Sequence, residues 1–319
     1  MVFNRDIKRV QRDACALRAD RADYSLLRQE IAERLVDRLN DTVRKLPQAA
    51  EMGCADGLIL PMLAGHGGVT SLVQCDSSQR MLDLCQTGNV GGIEATTRLI
   101  DEELFAFEKQ SLDLVISNLA LHWVNDVPGT LHMVHDALRP DCLFVGTMLG
   151  GDTLVELRHS FAIAEMERDG GVSAHVSPFA DVSDAGALLS RSGFAMPAVD
   201  TDTITMWFPT AMEAMHVLQG MGENNAVAVR RPFMSKDTIM AAAAIYETIY
   251  GEEEGVPATF QVIYLSGWSK GDGNQKPKER GSANFSLGEI GEVHVLGENP
   301  DAPPTPGRPR PPGMDSSRE

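Results

Sequence analysis

Long apolar runs are missing from this chain of 319 residues, and so is any cysteine pattern. Stretches such as Leu58 to Ala64 fall far short of the ~20 residues a helix needs to cross a bilayer, so any meeting with a membrane is expected to be peripheral. The five cysteines, Cys15, Cys54, Cys75, Cys85 and Cys142, are odd in number and form no C-x-x-C pair. That excludes a disulfide framework or a thiolate zinc site and fits a reducing compartment such as cytosol or mitochondrial matrix. Positive charge is also scarce, with 28 Lys+Arg against 45 Asp+Glu for a net of −17. Such a charge repels phosphate backbones and anionic headgroups on average, so no nucleic-acid partner is expected.

What is present is a pattern. Arginines crowd the first thirty residues, but Asp6, Asp13, Asp20 and Asp23 are interleaved. Transit peptides are poor in acidic residues, so the stretch reads as mature, partly helical protein, with any cleaved leader absent from the sequence. Apolar residues at three- and four-residue spacing predict a helix over Tyr24 to Leu46. Strands are expected at Ala49 to Met52, Val69 to Cys75, Thr97 to Ile100, Leu112 to Ser117 and Leu143 to Met148, with helices from Leu58, over Ser77 to Cys85, and near Gly129 to Leu138. This alternation predicts an α/β fold with a mostly parallel sheet covered on both faces.

Beyond Gly150 the pattern changes. Thr153-x-x-Glu156 reads as a capping box. Helices are expected near Asp184 to Arg191, Ala211 to Met221 and Ser235 to Tyr250. Strands near Asp202 to Phe208 and Thr259 to Leu265 are expected to form an antiparallel edge pair with helices inserted between them. The segment from Gly297 holds seven prolines and is expected to be disordered; its net charge is −1, so −16 falls on the residues before it. The expected organisation is a helical lead (1–46), a cofactor-binding core (47–150), a C-terminal part with the helical insertion (151–296) and the tail (297–319).

Chemistry concentrates at the expected strand ends. In Glu51-Met-Gly53-Cys-Ala55-Asp-Gly57 the glycines let a ligand approach the backbone at a strand-to-helix turn. A dinucleotide fingerprint would read G-x-G-x-x-G; this loop is G-x-A-x-G with a carboxylate two places ahead, which suits the ammonium of S-adenosylmethionine. Asp76 offers two acceptor oxygens to ribose hydroxyls, and Asp101 is placed for the adenine amino group. Ser77, Glu102 and Asn118 complete the candidate cofactor set, on the carboxyl edge where open α/β sheets bind ligands. Each feature also has a plain structural reading, and Asp76 before Ser77 and Ser78 suits a helix cap as well as a ribose. His122, Trp123 and Asp126 follow the fourth strand as candidate catalytic or substrate contacts; loop packing would explain them equally. His132 and His135 are one helical turn apart and read as packed or solvated. Glu165 to Gly171 and Gln219 to Glu223 read as helix ends with glycine caps.

The stretch Leu112-Asp-Leu-Val-Ile-Ser-Asn-Leu-Ala-Leu-His-Trp-Val-Asn-Asp126 resembles the fourth-strand motif of class I S-adenosylmethionine-dependent methyltransferases. More closely, the chain resembles the methyltransferase-like mitochondrial complex I assembly factor 5 family. The matching segments include Phe3-Asn-Arg-Asp-Ile-Lys-Arg9, Gly150-Gly-Asp-Thr-Leu154, Glu165-Met-Glu-Arg-Asp-Gly-Gly171, His175-Val-Ser-Pro-Phe179, Gln219-Gly-Met-Gly-Glu223, Pro257-Ala-Thr-Phe260 and Glu279-Arg-Gly-Ser282. The resemblance implies a seven-stranded class I methyltransferase fold and a matrix protein peripheral to the inner membrane. It also implies that the protein hydroxylates an arginine on the quinone-proximal iron–sulfur subunit of assembling complex I. Under it, the second-half segments are expected to line a protein-substrate groove.

Two positions depart from the family: Ala55 stands for the middle loop glycine, and Ser173-Ala174-His175 for Ser-Pro-His. Oxygen insertion into a C–H bond normally calls for a metal or flavin, and no histidine begins an H-x-D or H-x-E pair, so the residues name no oxidant and no metal site. Two other readings stay open: a conventional methyltransferase acting on a small or carrier-bound acid, and a non-catalytic assembly chaperone.

Overall fold

The computed structural model describes residues 1–231 and 233–273. The proline-rich tail and the Glu279 to Ser282 segment lie outside the described residues. The chain opens with two helices, α1 (Arg5–Ala16) and α2 (Leu26–Asp37). It then alternates through β1 (Gln48–Met52), α3 (Ile59–Met62), β2 (Ser71–Asp76), α4 (Gln79–Leu82), β3 (Gly88–Val90), β4 (Ile93–Leu99), β5 (Leu112–Ser117), α5 (Val127–Ala137) and β6 (Leu138–Leu149). The second half follows as α6 (Val155–Asp169), α7 (Val182–Arg191), β7 (Ala195–Phe208), α8 (Ala211–Gly220), α9 (Lys236–Tyr250) and β8 (Val256–Trp268).

The strands form one sheet in the order β3-β4-β2-β1-β5-β6-β8-β7. Pairings from β4 across to β6 are parallel, while β8 runs antiparallel to both β6 and β7. This is the expected seven-stranded arrangement with one addition: β3 pairs antiparallel on β4 as a short outer hairpin strand. All six residues of β5 are buried, as expected of a parallel strand covered on both faces. One apolar layer sets α2 (Leu27, Ile31, Leu35), α6, α8 and α9 against the sheet; the other sets α5 (Leu131, Val134) and α7 (Ala185, Leu189) against the opposite face.

β7 and β8 form the expected antiparallel pair at the sheet edge, with α8 and α9 between them in sequence. The helix caps there are the residues whose side chains suit the role: Thr210 accepts from Glu213 N at 3.1 Å and Ser235 from Thr238 N at 3.0 Å.

The capping box at Thr153 is corrected. Leu154, in the left-handed region at φ 53°, precedes α6, and no side chain among the described residues caps the helix. Thr153 Oγ1 instead donates to Gln261 O on β8, and Glu156 accepts from Thr259, so both side chains tie α6 to the sheet. Competition from a neighbouring strand defeats a motif that sequence spacing alone defines.

Within the sheet, β2 and β5 flank β1 on its two sides. The chain's crossovers reverse direction there, and the carboxyl ends of these strands open the crevice in which the candidate residues lie.

Candidate functional site

The turn after β1 has the close approach its glycines require. Gly53 sits at φ 73°, and a Cβ on it would lie 2.3 Å from Ala120 Cβ. Ala55, in the family's middle-glycine position, adopts the same left-handed region at φ 50°. Glu51 is buried beneath the turn, and its Oε2 has no hydrogen-bond partner among the described residues. Burial first, then the nearby Cys85 thiol, push its carboxyl well above the usual range.

Asp76 ends β2 fully buried. It accepts from Ser78 N at 2.8 Å and Ala55 N at 3.0 Å, so the cap and the loop share one carboxylate. It also faces an unexpected partner. Arg12 Nη1 lies 3.3 Å from Asp76 Oδ1, 3.3 Å from Ser77 Oγ and 2.5 Å from Glu102 Oε1. Arg5 completes the cluster on the other oxygen of Glu102 and on Asp101 Oδ1. Asp101 at the same time accepts from Glu103 N and caps the turn at Glu102–Leu104. Burial acts to raise the Glu102 carboxyl, but Arg12 and Arg5 overrule it and hold it at about 2. At Asp76 burial prevails over Arg12, and its carboxyl is raised.

These cations come from α1, where Arg5, Lys8 and Arg12 share one face at i, i+3, i+7 spacing. Composition marks the segment only as an arginine-rich, partly helical lead; the structure turns Lys8 and Arg12 inward to 1 % and 7 % exposure. Lys8 Nζ lies 3.6 Å from the centre of the Trp123 ring, donates to Gly222 O at 2.8 Å and meets Glu223 Oε2 at 3.1 Å. Burial lowers its ammonium to about 8 against the pull of Glu223.

Trp123 Nε1 donates to the same Glu223 oxygen at 2.8 Å, with Phe3 edge-on at 5.4 Å. His122 accepts from Leu149 N at Nδ1, and its Nε2 stands 3.5 Å from Glu223 Oε2, outside hydrogen-bond geometry. Burial keeps this imidazole below its ordinary value. Asn118 bridges Thr147 Oγ1 and Arg28 O at the end of β5.

The structure thus brings Glu51, Gly53, Ala55, Gly57, Asp76, Ser77, Asp101, Glu102 and Asn118 to one edge of the sheet, with His122 and Trp123 beside them. Asp126 stays apart: it is exposed and caps α5 by accepting from Gly129 N at 2.9 Å. His135 packs edge-on to Phe194. Among the described residues no group of three or more His, Cys, Asp or Glu is arranged to hold a metal ion. Sequence reasoning missed Arg5, Lys8 and Arg12 as site residues, and had Glu223 only within the Gln219 to Glu223 segment expected at a substrate groove; the signal was the cationic stripe at i, i+3, i+7 on the first helix.

With these side chains in place, the cleft bounded by Arg12, Arg28, Gly53, Ala55, Asn118 and Glu223 retains a cavity of about 60 Å³, room for about two waters. A larger cavity of about 430 Å³ adjoins it between α6, α8 and the segment 174–179.

Residues 50–146 match the model of a methyltransferase domain family. A solved structure from Bacillus halodurans described as a methyltransferase superposes with a TM-score of 0.51 at 13% identity, over 74% of this chain and 99% of that one. Over 296 residues the chain is 42% identical to a protein from Danio rerio named arginine-hydroxylase NDUFAF5, mitochondrial, covering 92% of this chain and 91% of the relative. The human protein of that name is also 42% identical, over 92% of this chain and 85% of its own. The fold is that of class I methyltransferases, and the chain belongs to the NDUFAF5 arginine-hydroxylase family.

Proposed function

We propose that this protein binds S-adenosylmethionine and hydroxylates an arginine on the quinone-proximal iron–sulfur subunit of respiratory complex I during assembly, in the mitochondrial matrix beside the inner membrane. Kinship along nine-tenths of the chain to relatives named as mitochondrial arginine hydroxylases carries the reaction and the compartment. No helix among the described residues is long and apolar enough to cross a membrane, which fits peripheral association.

The cofactor reading is supported by Glu51 Oε2, a buried oxygen without a partner among the described residues, which suits the ligand's ammonium. Gly53 and Gly57 let the ligand lie against the backbone, and Asp76 and Asp101 supply acceptors for ribose and adenine. When bound, S-adenosylmethionine brings a sulfonium with its activated methyl group into the cleft. Because α1 fills this space, Arg12 must withdraw from Asp76, or share it, before ribose hydroxyls can reach the carboxylate. Lys8 and Trp123 hold Glu223 as an ionised wall of the cleft, and His122 stays neutral beside it. Hydroxylation replaces a C–H bond by C–OH and is a two-electron oxidation, so it draws on an external oxygen-donating oxidant.

Calorimetry with S-adenosylmethionine tests the cofactor: binding that Asp76→Ala abolishes supports it, and an absence of binding overturns it. Intact-mass analysis of the iron–sulfur subunit with and without this protein tests the reaction. A gain of one oxygen is the expected result, a gain of one methyl would point to a conventional methyltransferase, and no change would point to a chaperone.

A further inference from the structure

The two cavities meet at one residue. Glu223 lines both the cofactor cleft and the larger cavity, and no other described residue does. Its two carboxylate oxygens are unequal. Oε2 is engaged by Lys8 Nζ and Trp123 Nε1, with His122 nearby, whereas no hydrogen bond from the described residues reaches Oε1. The side chain keeps 31% of its surface exposed. Burial acts to raise this carboxyl, but Lys8 above all holds it at about 2, so it is ionised.

The larger cavity has the complementary shape for one kind of side chain. Its lining is mixed: Gln219, Asn224 and Asn225 are polar, while Leu157, Phe161, Phe179, Met215 and Leu218 supply apolar surface, and methionines adapt to a flexible aliphatic stem. An arginine carries such a stem and ends in a planar cation that pairs with carboxylates. The cations at the rim do not compete for Glu223: Arg231 is held by Glu165 and Asp169, and Arg230 donates to Asn225 O.

We infer that Glu223 Oε1 is the receptor for the guanidinium of the substrate arginine, whose stem lies against the apolar side chains of this cavity, so that the side chain is presented to the cofactor cleft. The inference rests on the arginine-hydroxylase reading and adds to it the subsite that recognises the substrate. Lys8 and Trp123 act as positioning residues that pin the other oxygen.

The test compares binding of Nα-acetyl-arginine N-methylamide with that of the citrulline analogue, a neutral near-isostere, by saturation-transfer NMR on the full chain. The wild type is expected to prefer arginine by about tenfold or more, the scale of a charge-assisted hydrogen bond. Glu223→Gln should bring the ratio near one, and Glu223→Asp should restore part of it. Met215→Trp, which fills the cavity and leaves Glu223 with its partners, should weaken both probes, and it carries the test if Glu223→Gln does not fold. A wild-type ratio near one, a preference unchanged in Glu223→Gln, or unimpaired binding in Met215→Trp would overturn the inference. Mass analysis of the iron–sulfur subunit keeps the two readings apart. Wild-type protein that adds no oxygen yet shows the arginine preference defeats the reaction and leaves the receptor standing, and Glu223→Gln protein that adds oxygen at the wild-type rate does the reverse.

Discussion

Arg12 Nη1 lies 2.5 Å from Glu102 Oε1, with both side chains nearly sealed from water. Removing one member of such a pair strands the other, which costs more than the pair contributes net. Arg12→Ala is therefore expected to destabilise the protein by about 3 kcal/mol, read from urea unfolding. Arg12→Ala combined with Glu102→Gln should recover part of that loss, because the orphaned charge is gone. A double variant no more stable than the single one would show that the guanidinium acts through packing instead.

Acid should unfold the protein through the same cluster. Glu102 and Glu223 are both held at about 2 in the fold, against an ordinary 4.5. Depressed carboxyls contribute stability that is complete above the unfolded value and is lost as pH falls from 4.5 toward 2. For Glu102 the linkage is worth about 3 kcal/mol, and Glu102→Gln should flatten the stability profile over that window. Lys8, lowered to about 8 from 10.5, acts at the other end: its contribution to stability rises as pH climbs from 8 to 10.5. A profile flat through both windows in the wild type would contradict these placements.

Glu51 has the opposite sign to Glu102. Its raised carboxyl favours the fold when protonated, and that contribution is lost as pH rises above the ordinary carboxylate value. Glu51→Gln should thus leave the ligand-free protein as stable or more stable at neutral pH. Affinity for S-adenosylmethionine should fall by about tenfold or more once the charge opposite the ammonium is lost. Calorimetry and thermal unfolding on one pair of samples decide both; a destabilised variant with unchanged affinity would remove Glu51 from the cofactor set.

The loop offers a paired substitution. Gly53→Ala should destabilise by more than about 2 kcal/mol, combining the left-handed penalty with overpacking against Ala120. Ala55→Gly, at φ 50°, relieves strain of about 1–2 kcal/mol at an entropic cost of about 0.5–1 kcal/mol, for a small net gain. Denaturant midpoints would show the contrast, and equal effects at the two positions would refute it.

Legibility followed the physics of each element. Leu112–Ser117 was read with its observed bounds because a strand buried on both faces is a continuous apolar run. By contrast, β7 begins at Ala195, seven residues before the expected Asp202: its first half is mostly exposed, contains Pro197 and shifts register between Ala195 and Ala198, so no periodicity marks it. β3 is three residues long with one apolar residue, Val90, too short for any periodicity. The strand-end carboxylates Asp76 and Asp101 were legible because a loop grammar surrounds them. Glu223 was legible only through its segment's resemblance to the family, since by its residues alone a carboxylate after a glycine-rich helix end looks like a cap until Lys8 is brought across the molecule to meet it.

That last contact spans 215 positions of sequence. Chain closure over such a length is entropically slow and follows the local pairings. The roof that α1 lays over the acidic crevice is thus among the last parts to settle, after the strands and α8 are formed. A nascent or truncated chain ending before Glu223 leaves Lys8 without its carboxylate and Trp123 without its acceptor, and carries a sheet that is complete through β6 beneath a cleft that is still uncovered. The time at which the site becomes closed is set by the distant second half of the sequence, although most of the proposed cofactor contacts are encoded in the first.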